Sequence, residues 1–165
     1  MANYREKCIK LLESRGVTIS DLCDVAVFLQ IEYHPELTSK DMEDIVLRVL
    51  DKREVQFAVM TAVELDRLAE SHKMEDKDLE SLLINDNGLY GVDEVLAYGI
   101  CNLYGSIALT NFGYVDKKKY GIIDRLNRDG KGTGVCNTFV DDVVGAISAS
   151  AAAHFAHATK VRRVD

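Results

Sequence analysis

Apolar residues recur at spacings of three and four along most of the chain, and no run alternates strictly between apolar and polar positions, so the pattern predicts helices and no half-buried strand. A first helix is predicted over about 4–14, with Cys8, Leu11 and Leu12 inward and Gly16 placed to end it. A second runs from near Ser20 to Tyr33, where Pro35 forces a break. Thr38 or Ser39 then caps a third helix with Ile45, Val46, Val49 and Leu50 on one face; it continues past Lys52 or bends there. Val55 to Ser71 carries a further stripe, Val55, Val59 and Val63 with Leu65 and Leu68, and Met74 to Ile84 a shorter one.

At Asn85-Asp86-Asn87-Gly88 the texture changes: ten of the eleven glycines fall between there and Gly145. From Val95 to Val115 there is no charged residue, a length of about 21 that matches a bilayer span. Asn102, Ser106, Thr110 and Asn111 interrupt its apolar character, so it reads instead as a central buried helix, with Ala97, Cys101 and Gly105 forming a small-residue stripe for close helix packing. A second tightly packed, partly central helix is predicted over about Thr138 to Thr159, rich in Ala, Gly and Ser, and the polar tail Lys160 to Asp165 is expected to fray. The fold expected is all-α, a multi-helix bundle in which a central buried helix is surrounded by others.

Composition refines this picture. With 165 residues, 47% apolar and 28% charged, the chain is expected to form one helical domain around one core. Residues 1–87 hold 11 basic and 19 acidic side chains, residues 88–165 hold 9 and 8, so the first part reads as acidic amphipathic scaffold and the second as the part carrying chemistry. A net charge of −7 argues against nucleic acid as a partner. The first residues, Met1 to Lys7, lack a basic start followed by an apolar run, so the expected location is the cytoplasm, and the four scattered cysteines are expected to be reduced and buried. Small-residue helix faces also suit packing between copies of the chain, a homo-oligomer.

Two acidic pairs stand out. Asp93-Glu94 opens the uncharged segment after Gly91, and Asp141-Asp142 opens the last helix, where Thr138 is placed to cap with Asp141 three positions on. Carboxylates in a first turn cap the helix and face its dipole, worth about 0.3 to 2 kcal/mol, and either pair alone needs no more than that. Two such pairs opening two close-packed helices also offer hard oxygen ligands of the kind Mg²⁺ takes beside phosphate oxygens and water. Between them, Asp116 to Lys119 and Asp124 to Gly134 form a basic, glycine-rich stretch in which Asp124, Arg125, Gly130, Lys131 and Gly132 are suited to an anion. It is neither a P-loop, since Gly132 follows Lys131, nor an EF-hand, since Arg125 and Cys136 would fall at the acidic ligand positions. His154 and His157, one turn apart with no third ligand nearby, read as packing or surface residues.

Over roughly Gly91 to Ser150 the chain resembles the phosphatidylglycerophosphatase A family, Mg²⁺-dependent phosphatases of bacterial phospholipid synthesis. The resemblance rests on Val92-Asp93-Glu94, on Phe112-Gly113-Tyr114-Val115-Asp116 with Lys119, on Asp124-Arg125 leading into Gly130-Lys131-Gly132, and above all on Asp141-Asp142-Val143-Val144-Gly145-Ala146. It implies Asp93, Glu94, Asp141 and Asp142 as metal ligands, Asp93 and Asp142 first among the catalytic groups, and Asp116, Lys119 and Asp124 near the phosphate. The chain has Gly113 where the family pattern has Arg, and its N-terminal part is acidic and amphipathic where membrane members are apolar, so it resembles a soluble branch. The function expected is hydrolysis of a phosphate monoester, either phosphatidylglycerophosphate met by peripheral contact at the membrane surface or a small soluble phosphate ester. The competing expectation is a noncatalytic helical module that binds a metal, an anion or a protein on the same scaffold.

Overall fold

The computed structural model describes residues 3–161, and side chains as far as residue 159. Among these residues there are nine helices and no strand: α1 (Arg5–Glu13), α2 (Ile19–Phe28), α3 (Ser39–Leu50), α4 (Arg53–Glu70), α5 (Lys77–Ile84), α6 (Val92–Cys101), α7 (Ser106–Lys118), α8 (Ile122–Asp129) and α9 (Val140–Val161). The chain is an all-α bundle. The tail beyond residue 161 lies outside the described residues.

Local chemistry sets most boundaries. Thr18 and Thr38 open α2 and α3 with capping boxes closed by Asp21 and Asp41. The chain bends at Lys52, the N-cap of α4, and Asp76 starts α5 later than the apolar stripe suggests by accepting from the backbone of Asp78 and Leu79 at 3.0 Å each. The second helix ends at Phe28 rather than Tyr33, because residues 29–33 close as turns in which the N–H groups of Tyr33 and His34 both reach the Gln30 carbonyl.

The bundle does have a central helix, but it is α9 and not the uncharged segment 95–115. From Val143 to Ala153 α9 is buried on every side, and it packs against α2, α3, α4, α6, α7 and α8. Its Ala, Gly and Ser residues permit this close approach; a Cβ at Gly145 would already touch Ile123 and Phe112 at 3.5 Å, and Ser148 satisfies its hydroxyl on the Leu22 carbonyl at 3.0 Å. The uncharged segment is instead two helices, α6 and α7, broken at residues 102–105 where Gly105 adopts φ 85°, a value a side chain disfavours. Each buries only one stripe, Ala97, Ile100 and Cys101 on α6 and Ala108, Phe112 and Val115 on α7, leaving Val95 and Tyr98 exposed. Among the described residues no helix is long and apolar enough to cross a membrane. All four cysteines are buried free thiols.

Candidate active site

The start of α9 is held from a distance. Asp66, fully buried in α4, accepts the N–H of Phe139 on both oxygens at 3.1 Å and that of Val140 at 2.8 Å, capping α9 in place of Thr138. Thr138 turns its hydroxyl to the Leu83 carbonyl at 2.6 Å. Burial pushes the Asp66 carboxyl up to about 7, against the donors that favour its charged form.

One turn further along α4, Glu70 forms a two-pronged ion pair with Arg15, both contacts at 2.8 Å, and takes the Cys136 N–H at 2.9 Å. The same guanidinium donates to the Cys136 carbonyl and to Asn137 Oδ1, and its bonds to Glu70, with the Cys136 N–H, hold Glu70 below the usual carboxylate range. The linker into α9 is thereby tied to the α1–α2 turn and to α4. Sequence reasoning missed this support, although Asp66 follows Ala62 and Val63 on the apolar stripe of α4, an acid where burial is expected.

With α9 so fixed, Asp141 and Asp142 are both buried and face the first turn of α6, which Gly91 opens in the left-handed conformation with φ 67°. Asp93 accepts the Glu94 N–H at 3.0 Å and lines the same cleft as the Asp142 carboxyl. From α7, Asp116 reaches Lys119, whose Nζ lies 2.6 Å from Asp116 and 3.3 Å from Asp141. The corner after Lys119 is pinned by Tyr120, stacked on Phe28 of α2 with ring centroids 3.9 Å apart.

These groups line a polar cleft of about 170 Å³, completed by Asp86, Asn87 and Gly88 from the α5–α6 loop and by Asn127 from α8. Six carboxyl groups thus face one ammonium. Burial, then the neighbouring acids Asp141, Asp116 and Asp93, raises the Asp142 pKa; burial raises that of Asp141 despite Lys119, and Asp93 and Glu94 move the same way. Burial opposes the charge on Lys119, but the Asp141 and Asp116 carboxylates outweigh it and raise its pKa.

Carboxyl groups crowded into one cleft, as Asp93, Asp141 and Asp142 are, are relieved of their mutual repulsion by a retained proton or by a cation. Among the described residues no three His, Cys, Asp or Glu side chains already converge into a metal cage. Mg²⁺ does not require one, since it binds through one or two carboxylates and completes its shell with water and phosphate oxygens. The donor set fits that ion: hard oxygens, like charges crowded together, and a cleft open to a ligand.

The anion-suited stretch is only partly at this cleft. Gly130 lies against Asn137 beside Asp86, Asn127 and Asp141, whereas Lys131 and Gly132 are exposed and outside the lining. Asp124 pairs with Arg128 at 2.9 Å, and Arg125 donates to the Gly16 carbonyl at the α1–α2 turn. Their side chains are engaged on the outer surface of α8, so within the cleft the positive charge comes from Lys119.

The family model for phosphatidylglycerophosphatase A matches residues 9–157. Two Bacillus subtilis proteins are similar over nearly the whole chain: YutG, 53% identical over 88% of this chain and 86% of its own, and YpjQ, 44% identical over 89% and 81%. Among solved structures, a Bacillus stearothermophilus protein superposes with a TM-score of 0.90 at 49% identity, covering 95% of this chain and 96% of its own. The low temperature requirement C protein of Listeria monocytogenes gives 0.91 at 45% identity, covering 96% and 98%. With a family model spanning the bundle from α1 to α9 and relatives aligned almost end to end, this chain belongs to the phosphatidylglycerophosphatase A family.

Proposed function

We propose that the cleft between α6, α7 and α9 hydrolyses a phosphate monoester with the help of Mg²⁺, and that its substrate is phosphatidylglycerophosphate. The observation that carries this reading is the convergence of Asp93, Glu94, Asp141 and Asp142 on one cleft beside Lys119, in a chain of this family. When bound, Mg²⁺ supplies charge neutralisation at the phosphoryl group and lowers the pKa of an attacking water. Asp93 and Asp142 hold the ion, with Glu94 and Asp141 beside them. Lys119, kept charged by Asp116 and Asp141, faces the phosphate oxygens, and the first turn of α6 presents its positive dipole end to the same space.

The rim favours a lipid-borne phosphate over a freely soluble one. Leu89, 96% exposed, precedes α6, and Val92, Val95 and Tyr98 continue an exposed apolar face from the turn that carries Asp93 and Glu94.

The test is phosphate release from phosphatidylglycerophosphate and from water-soluble esters, with and without Mg²⁺. Asp142→Asn, with its fold checked by circular dichroism, is expected to lower metal-dependent turnover by about 10² or more, the scale of losing one transition-state contact. Unchanged turnover in that variant removes Asp142 from the mechanism. Stabilisation by Mg²⁺ with no release from any ester makes the chain a noncatalytic binding module.

A further inference from the structure

Twelve residues along α9 from Asp142, about 18 Å at 1.5 Å per residue, a second cleft opens on chemistry of the opposite sign. It has a volume of about 600 Å³ and lies where the end of α3, the α3–α4 junction and the α6–α7 turn meet the last turns of α9. Arg48 and Lys52 enter from the first two, Tyr104 from the turn, and His154 and His157 from α9. Its acidic lining residue, Asp51, is engaged by Arg5 at 3.0 Å, whereas among the described residues neither Arg48 nor Lys52 has an ion-pair partner.

The dipole at the end of α3 accounts for a cation in its last turn. It does not account for basic groups from two further segments around one cavity, in a chain of net charge −7. Burial, and then the charges of Arg48, Lys52 and His157, hold the His154 pKa below its ordinary value. Ile45, Val49 and Leu103 supply an apolar wall, and the Tyr104 ring meets His154 edge-on at 6.3 Å. The volume is that of a small-molecule site and far exceeds an inorganic phosphate.

We propose that this cleft is a second binding site, for an organic phosphate in which a phosphate or diphosphate group is joined to an apolar or planar body. The anion meets Arg48, Lys52 and the two imidazoles, and the body lies on Leu103, Tyr104 and the α3 face.

The test is a titration of the full chain with ADP and with dihexanoyl phosphatidic acid below its micelle concentration, in chelator, so that no cation serves the acidic cleft. Calorimetry and the imidazole NMR signals of His154 and His157 provide the readouts. Saturable binding of either probe, with those two signals shifting and inorganic pyrophosphate binding more weakly, is the expected result; the tighter probe tells a planar from an acyl body. Arg48→Gln with Lys52→Gln, both at exposed positions, weakens binding about ten- to a hundredfold through lost charge-assisted bonds, and Lys52→Gln alone weakens it in part. Asp142→Asn leaves it unchanged. Absence of saturation below millimolar probe, or binding indifferent to the double variant, overturns the site.

Discussion

The Asp66 Oδ2 atom in α4 lies 2.8 Å from the backbone nitrogen of Val140, the first residue of α9 and 74 positions further along the chain. With the Phe139 N–H on the same carboxylate, the cap of the helix that carries Asp141 and Asp142 belongs to a different helix. Asp66→Ala leaves two buried N–H groups without a partner and is expected to cost about 2 to 4 kcal/mol, with Asp66→Asn costing less because one acceptor oxygen remains. Urea unfolding of the two variants measures this, and equal losses would show that the charge and not the acceptor geometry matters.

Arg15 makes a comparable claim on stability. Its side chain is only 7% exposed and meets Glu70 with two nitrogens while holding the Cys136 carbonyl. Arg15→Ala strands a partly buried carboxylate and is expected to cost about 3 kcal/mol, and Arg15→Lys recovers only part of it because a point charge cannot reproduce the fork. Thermal melts of the two variants at one pH give the comparison.

The acidic cleft carries a pH signature of its own. Asp142, Asp141, Asp93 and Glu94 all have raised folded pKa values, and Asp66 rises to about 7. A carboxyl of this kind keeps its proton in the folded chain after the unfolded chain has lost it. Its contribution is therefore full below about pH 4 and is lost as pH rises through the folded value, near 7 for Asp66. In chelator, stability is expected to decline across that window, and Asp142→Asn should flatten the decline and stabilise the protein at neutral pH by about 1 to 2 kcal/mol. Urea midpoints from pH 4 to 8 check the slope, and added Mg²⁺ should reverse it.

Lys119 balances Asp116 and Asp141 and is the ammonium of the cleft. Lys119→Met is expected to reduce turnover of the Mg²⁺-loaded protein by about 10² and to raise the Asp141 pKa further. A pH–rate profile displaced to higher pH, together with the lower kcat, would show both effects; a change in KM alone would argue against transition-state contact.

Gly105 tests the break between α6 and α7. A Cβ there has open space around it, so Gly105→Ala isolates the backbone cost of φ 85° with ψ −164°, about 1 to 3 kcal/mol, with no contribution from neighbouring side chains. A neutral substitution would mean that the two segments tolerate a different turn.

What could be read along the chain and what could not divides along physical lines. The helix start at Thr38 is legible because the capping residue and its partner are three positions apart; Thr18 and Asp21 have the same spacing, and the helix expected from near Ser20 begins there. The pairs Asp93-Glu94 and Asp141-Asp142 are legible for the same reason, each being a local concentration of charge at a helix start, and the structure brings both to one cleft with Lys119. The uncharged run 95–115 misled, since absence of charge reports low polarity and not straightness, and the turn at Gly105 is decided by one backbone angle. Arg125 and Lys131 looked suited to an anion from composition alone, but the direction of a long side chain depends on its neighbours, here the Gly16 carbonyl for Arg125. Asp66 and Arg15 act across 73 and 121 positions, and nothing local marks such a partnership.

The capping of α9 from α4 also bears on how the chain acquires its shape. The bonds that seat the linker into α9 close loops of 66 to 122 residues, so they carry a large loop-closure entropy and form only once α1 and α4 are in place. A fragment beginning near Gly88 would contain every acid proposed to bind the ion and would still lack the partners that orient Asp141 and Asp142. Assembly of the cleft is therefore a late event in folding, and proteolysis between α4 and α5 would disarm it without touching a residue that lines it.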